Sequence, residues 1–141
     1  MPTATAFLVN INNVFHLVTA KHVVYNNKTG LISDDEMYMF FNTMDGAIMA
    51  RSICDIKKML KIDWIFHEDS NVDVAIIPFG LDENDDVLFI PDNTFLSADQ
   101  LYEVHDIFFL SYQPGIKIAK KITPIIRSGT ISLMNEDNTF L

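Results

Sequence analysis

At 141 residues, about half of them apolar, the chain is long enough for one domain with a buried core, and its composition argues against disorder. The net charge of -9, with lysines and arginines scattered along the chain, offers no cationic surface for a phosphate backbone, so neither nucleic acid nor an anionic membrane is expected as a partner. The apolar runs fall well short of the ~20 residues that span a bilayer. Met1-Pro2-Thr3 lacks the basic start of a secretory leader, and the single cysteine, Cys54, rules out an internal disulfide and points to a reducing compartment.

Short β-prone runs separated by turn residues predict an all-β fold. Residues 4–9 and 14–19 flank Asn10-Ile11-Asn12-Asn13, whose asparagines tolerate the left-handed backbone of a tight hairpin. The four residues after Thr19 fit one helical turn. Residues 37–42 and 47–53 flank a segment ending in Asp45-Gly46 and predict a second hairpin. Residues 61–67 and 74–78 complete six strands, which close most economically as a small barrel because closure removes exposed edges. Residues 84–94 are acidic and interrupted by Pro91, and read as an irregular connection. Ser97-Ala98-Asp99-Gln100 reads as a capped turn. Residues 107–112, a Gln113-Pro114-Gly115 turn and residues 125–134 follow as further strands. The expected organisation is a first barrel over 2–79, a linker over 80–103, and the opening strands of an incomplete second barrel over 104–141.

Two positions carry chemistry. Leu17-Val18-Thr19-Ala20-Lys21-His22-Val23 places a histidine on a tight turn just past a buried strand, a rigid platform for a general base. Val72-Asp73-Val74-Ala75-Ile76-Ile77-Pro78 places a carboxylate at the mouth of an apolar strand, where it is costly to bury without a donor such as an imidazole N–H.

In these segments the chain resembles the trypsin-like, double-barrel serine peptidases, and more narrowly the bacterial members related to the high-temperature-requirement proteases. Ala4-Thr5-Ala6-Phe7-Leu8-Val9 stands at the family's entry strand, Thr19-Ala20-Lys21-His22 at its histidine turn, and Asp73-Val74-Ala75-Ile76 at its aspartate strand. Leu101-Tyr102-Glu103 with Ile107 to Gly115 is similar to the first strand of the second barrel, and Ile126 to Ser132 to the next. The resemblance implies a serine endopeptidase acting on polypeptide through an acyl-enzyme, with His22 as general base and Asp73 fixing its tautomer. The alternative is a noncatalytic homologue that keeps the fold as a peptide-binding or scaffold module. Ala4 and Ala6 replace entry-strand glycines, and Val104 and Ser111 stand where the family often has glycine. No serine stands in the Gly-x-Ser-Gly context that carries nucleophile and oxyanion-hole amides, so these 141 residues are expected to be inactive alone.

His16, His67 and His105 lack the short spacing of zinc ligands, and no metal or cofactor is expected. Asp82-Glu83-Asn84-Asp85-Asp86 starts like a calcium loop but has Val87 and Asn93 where glycine and glutamate are needed, which predicts a solvated acidic loop. Cys54 precedes Asp73, the wrong chain order for a nucleophile on this fold, and reads as a packed or half-exposed thiol. Residues 107–112 and 125–134, rich in β-branched and aromatic residues, are expected to leave sheet edges open to self-association.

Overall fold

A computed structural model describes residues 4–34, 36–111 and 121–135. In chain order it forms β1 (Phe7–Ile11), β2 (Val14–Thr19), the helical turn α1 (Lys21–Val24), β3 (Tyr25–Asn26), β4 (Leu31–Ile32), β5 (Tyr38–Thr43) and β6 (Ile48–Ser52). Helix α2 (Ile53–Leu60), β7 (Ile65–Phe66), β8 (Ala75–Pro78), β9 (Asp85–Asp86) and β10 (Phe89–Pro91) follow. Two 3-10 turns (Asp92–Thr94 and Ala98–Gln100), β11 (Asp106–Ser111) and β12 (Ile125–Thr130) complete the described elements. The fold is mostly β.

Both expected hairpins form. Asn12 and Asn13 adopt φ of 51° and 64° between β1 and β2, which pair from Phe7↔Val18 to Ile11↔Val14. Two successive left-handed residues match the twist of a two-residue hairpin, and asparagine tolerates them at little cost. Gly46, at φ 83°, turns β5 into β6, and Thr43 Oγ1 donates to Asp45 Oδ1 at 2.5 Å across that turn.

Hydrogen bonding builds a five-stranded sheet in the order β10-β1-β2-β8-β7, a three-stranded sheet β6-β5-β9, and two strand pairs, β3-β4 and β11-β12. In the main sheet Leu17 faces Ile77 and Thr19 faces Ala75 across β2 and β8, and all four are buried. Period-two burial places one face of this sheet on a core of Leu8, Leu17, Val24, Ile53, Ile56, Trp64, Ala75, Ile77 and Phe79.

Among the described residues no sheet closes on itself, so the expected closed six-stranded barrel is not formed. Two features explain the open arrangement. Ile53, expected to end a strand, and residues 54–60, which the strand pattern passes over, form α2 and interrupt the run of strands between β6 and β7. Ser52 Oγ accepts from the Asp55 amide at 3.2 Å, Asp55 lies in the first turn, and Lys57 and Lys58 lie in the last, each favourable to the helix dipole. Lys61 ends the helix with φ 54°. The second feature is β10. Residues 84–94, expected to be irregular, supply β9 beside β5 and β10 parallel to β1, so the outer edge of β1 is covered from the linker. The strand expected over 61–67 shrinks to Ile65–Phe66.

The turn at 97–100 is held by the Gln100 side chain, whose Oε1 accepts from the Ser97 amide at 2.8 Å. β11 and β12 pair along their whole length, from Asp106↔Thr130 to Ser111↔Ile125. The Gln113-Pro114-Gly115 turn lies outside the described residues. Phe108, Phe109, Leu110 and Ile126 of this pair are exposed.

Candidate active site

The sheet register brings His22 and Asp73 to one place. Thr19 pairs with Ala75 at the end of β2, so the antiparallel strands β2 and β8 present the residues after Thr19 and before Ala75 off the same end. Ala20 is extended, and the chain then turns into α1, with the Val23 amide donating to the Ala20 carbonyl at 3.1 Å. Val24, fully buried, pins that turn to the core, and Ala75, also fully buried, anchors the start of β8. The two candidate side chains are thus carried by short segments leaving the sheet.

His22 Nδ1 lies 2.5 Å from Asp73 Oδ2, and the His22 amide donates to Asp73 Oδ1 at 2.9 Å. The carboxylate therefore takes both a main-chain and a side-chain donor from one residue. The His22 amide beside it, and then the imidazole, hold the Asp73 carboxyl below the usual carboxylate value, with a smaller contribution from the Lys21 amide. A carboxylate at Nδ1 places the proton there and leaves the Nε2 lone pair directed away from it, the form a general base needs. The side chains are 68% and 51% exposed, so water screens the pair strongly. Among the described residues, no serine hydroxyl hydrogen-bonds to the imidazole.

Comparison with family models, with curated proteins and with solved structures finds no match to this chain.

The remaining histidines are dispersed. His16 Nδ1 donates to the Val14 carbonyl at 3.0 Å, His67 Nδ1 accepts from the Asp69 amide at 3.0 Å, and the His105 ring lies against Tyr102. Among the described residues no three histidine, cysteine or acidic side chains are arranged to hold a metal ion. Cys54 is half-buried in the first turn of α2.

The segment 82–86 departs from the solvated acidic loop expected of it. Asp85 is buried and receives Arg51 Nη1 and Nη2 at 2.8 and 2.9 Å, while Asp82 also pairs with Arg51. The guanidinium lies 4.7 Å from the Phe41 ring centroid and donates to the Gly80 carbonyl. This is a bidentate latch fastening the 80–86 segment onto β6, and burial of Asp85 depends on the partner. A lone arginine on a strand upstream of an acidic run was the available signal.

A second cluster joins the buried Asp34 to α2 and Trp64. Asp34 Oδ2 accepts from Lys57 Nζ at 2.9 Å and from Trp64 Nε1 at 2.7 Å, and Lys57 also pairs with Asp63 at 2.8 Å. Burial works against the Lys57 ammonium, but hydrogen bonds to Asp63 and Asp34 outweigh it and raise its pKa.

Proposed function

We propose that this chain carries the general base and orienting acid of a trypsin-like serine peptidase, as the first part of its double-barrel fold. His22 is the base and Asp73 the residue that fixes its tautomer. The observation that carries this is the double hydrogen bond from His22 to Asp73, made at the joint ends of β2 and β8. The backbone at Val104 adds support. It adopts φ 71° at a position where the family often has glycine, the residue that takes this conformation without steric cost.

In the reaction, Nε2 of His22 takes the proton of a serine hydroxyl as its oxygen bonds to the scissile carbonyl carbon, then gives it to the leaving amine. Asp73 stabilises the imidazolium formed in between. No serine of this sequence stands in Gly-x-Ser-Gly, so the proposal requires the nucleophile and oxyanion amides to be supplied by residues other than these 141. A fluorophosphonate label tests this. Residues 1–141 alone stay unlabelled, whereas the complete gene product labels on a serine and loses peptide hydrolysis by about 10³-fold or more on His22→Ala. Stoichiometric labelling within residues 1–141, or hydrolysis untouched by His22→Ala, refutes the proposal.

A second function, as a noncatalytic homologue binding peptide or serving as scaffold, follows from the same resemblance and requires no nucleophile. A complete gene product that binds extended peptides but neither labels nor hydrolyses would establish it.

A further inference from the structure

The His22–Asp73 pair is open to water, and an exposed pair of this kind gains too little from its own attraction to hold two side chains in one geometry. Val24 pins the C-terminal end of the α1 turn to the core, which leaves open what holds its first residues against Asp73. Lys21, the residue before His22, is half-buried, and among the described residues it forms no ion pair with a carboxylate. Its ammonium lies 5.4 Å from the Tyr25 ring centroid and 5.5 Å from that of Phe66, within the reach of a cation over an aromatic face. The two rings also touch each other, with centroids 5.6 Å apart at 58°.

One ring adjoins the turn that bears His22, and the other lies on the strand next to β8. Tyr25 caps α1, and its amide donates to the Lys21 carbonyl. Phe66 lies on β7, which pairs with β8 at Phe66↔Ala75, two residues from Asp73. We propose that Lys21 is the positioning residue of the pair: its cation, held against Tyr25 and Phe66, fastens the turn bearing His22 to the sheet edge beside the segment bearing Asp73. Packing alone would be served by any long apolar side chain, whereas a cation held by ring faces requires a charge, and arginine fulfils it as well as lysine.

The inference rests on the pairing of His22 with Asp73 and not on hydrolysis, so its test reads the imidazole directly. Nitrogen-15 spectra of the full 141-residue chain at about pH 8, where a histidine of ordinary pKa is neutral, report the tautomer of each ring. The His22 signals are identified by His22→Gln. In the unsubstituted chain His22 carries its proton on Nδ1. Lys21→Ala and Lys21→Met are expected to lower the Nδ1–H population of His22 at least twofold and to speed exchange of that proton with water. Lys21→Arg is expected to restore both. Should Lys21→Ala fail to fold, Phe66→Leu, which keeps the strand and the charge but removes a ring, gives the same loss. An unchanged Nδ1–H signal in Lys21→Met, or one equally reduced in Lys21→Arg, overturns the positioning role and leaves the pair intact. A His22 protonated on Nε2 in the unsubstituted chain overturns the pair itself.

Discussion

Removing the carboxylate of Asp34 is expected to destabilise the chain far more than removing that of Asp73, although Asp73 belongs to the candidate site. Asp34 is buried and serves two donors, Trp64 Nε1 and Lys57 Nζ. Asp34→Ala leaves the buried indole N–H without an acceptor, at a cost of about 1–3 kcal/mol. It also removes one of two carboxylates from Lys57. The other, Asp63, is largely exposed and remains, so this loss falls near 1 kcal/mol, below the range for an ion left wholly unpaired. The sum is about 3 kcal/mol. Asp34→Asn keeps an acceptor for Trp64 and loses only the charge, at about 1 kcal/mol. Asp73→Asn, at an exposed pair, is expected to cost no more than about 1 kcal/mol. Trp64 is the only tryptophan, so its emission during urea unfolding reports on the cluster being altered. With a slope of about 1.5 kcal/mol per molar, Asp34→Ala lowers the midpoint by about 2 M. A midpoint for Asp34→Ala equal to that of Asp73→Asn would refute the reasoning, because it would mean that burial of the Asp34 carboxylate contributes nothing.

Arg51→Met leaves the buried Asp85 carboxylate without its bidentate partner and is expected to cost about 3 kcal/mol by urea unfolding. Arg51→Lys should recover only part of it, and full recovery would contradict a planar, two-pronged contact. Val104→Gly should stabilise the chain by up to about 1 kcal/mol, since it relieves a β-branched residue at φ 71° whose side chain is exposed; a loss of stability would show that Val104 is not strained. The carboxyl of Asp73 should titrate below the ordinary 3.8 in carbon-13 spectra. Its folded value is depressed, so its stabilising contribution is complete above the unfolded value and disappears as pH falls through the folded one; a titration at or above 3.8 contradicts the two donors seen. Amides of β1, β2 and β8 should exchange much more slowly than those of β11 and β12, whose apolar side chains are exposed, and equal protection would exclude fraying of that pair.

The parts of the fold visible in the sequence are those written into neighbouring residues. Asn12-Asn13 and Asp45-Gly46 specify their hairpins because a left-handed backbone is a local requirement. The histidine turn and the aspartate strand were legible for a similar reason: each is a polar residue at the end of an apolar run, and the pairing of β2 with β8 brings the two ends together. Helix α2 is legible in its local signals, although they are short. Ser52 with Asp55, Ile53 with Ile56, and Lys57 with Lys58 are cap, buried face and charged end, compressed into eight residues beside a strand. Strand β10 was not legible, because Phe89-Ile90-Pro91 is too short to show a period and its parallel partner lies at the other end of the domain. Barrel closure is likewise decided between distant strands, and strand count alone does not determine it.

The parallel seam between β1 and β10 has a consequence for the order in which the chain folds. Leu8 meets Leu17 across the first hairpin but meets Phe89 across the seam, a loop roughly nine times longer, which adds about 2 kcal/mol of closure entropy. The Asn12 amide, bonded to Asp92 Oδ2 at 3.1 Å, closes a span of similar length. Contacts of such separation form late, after the β1–β2 hairpin has already collapsed onto its core. A nascent chain therefore holds β1 as a bare edge until residues 89–91 emerge, and through that interval the edge is a site for chaperone capture or mispairing.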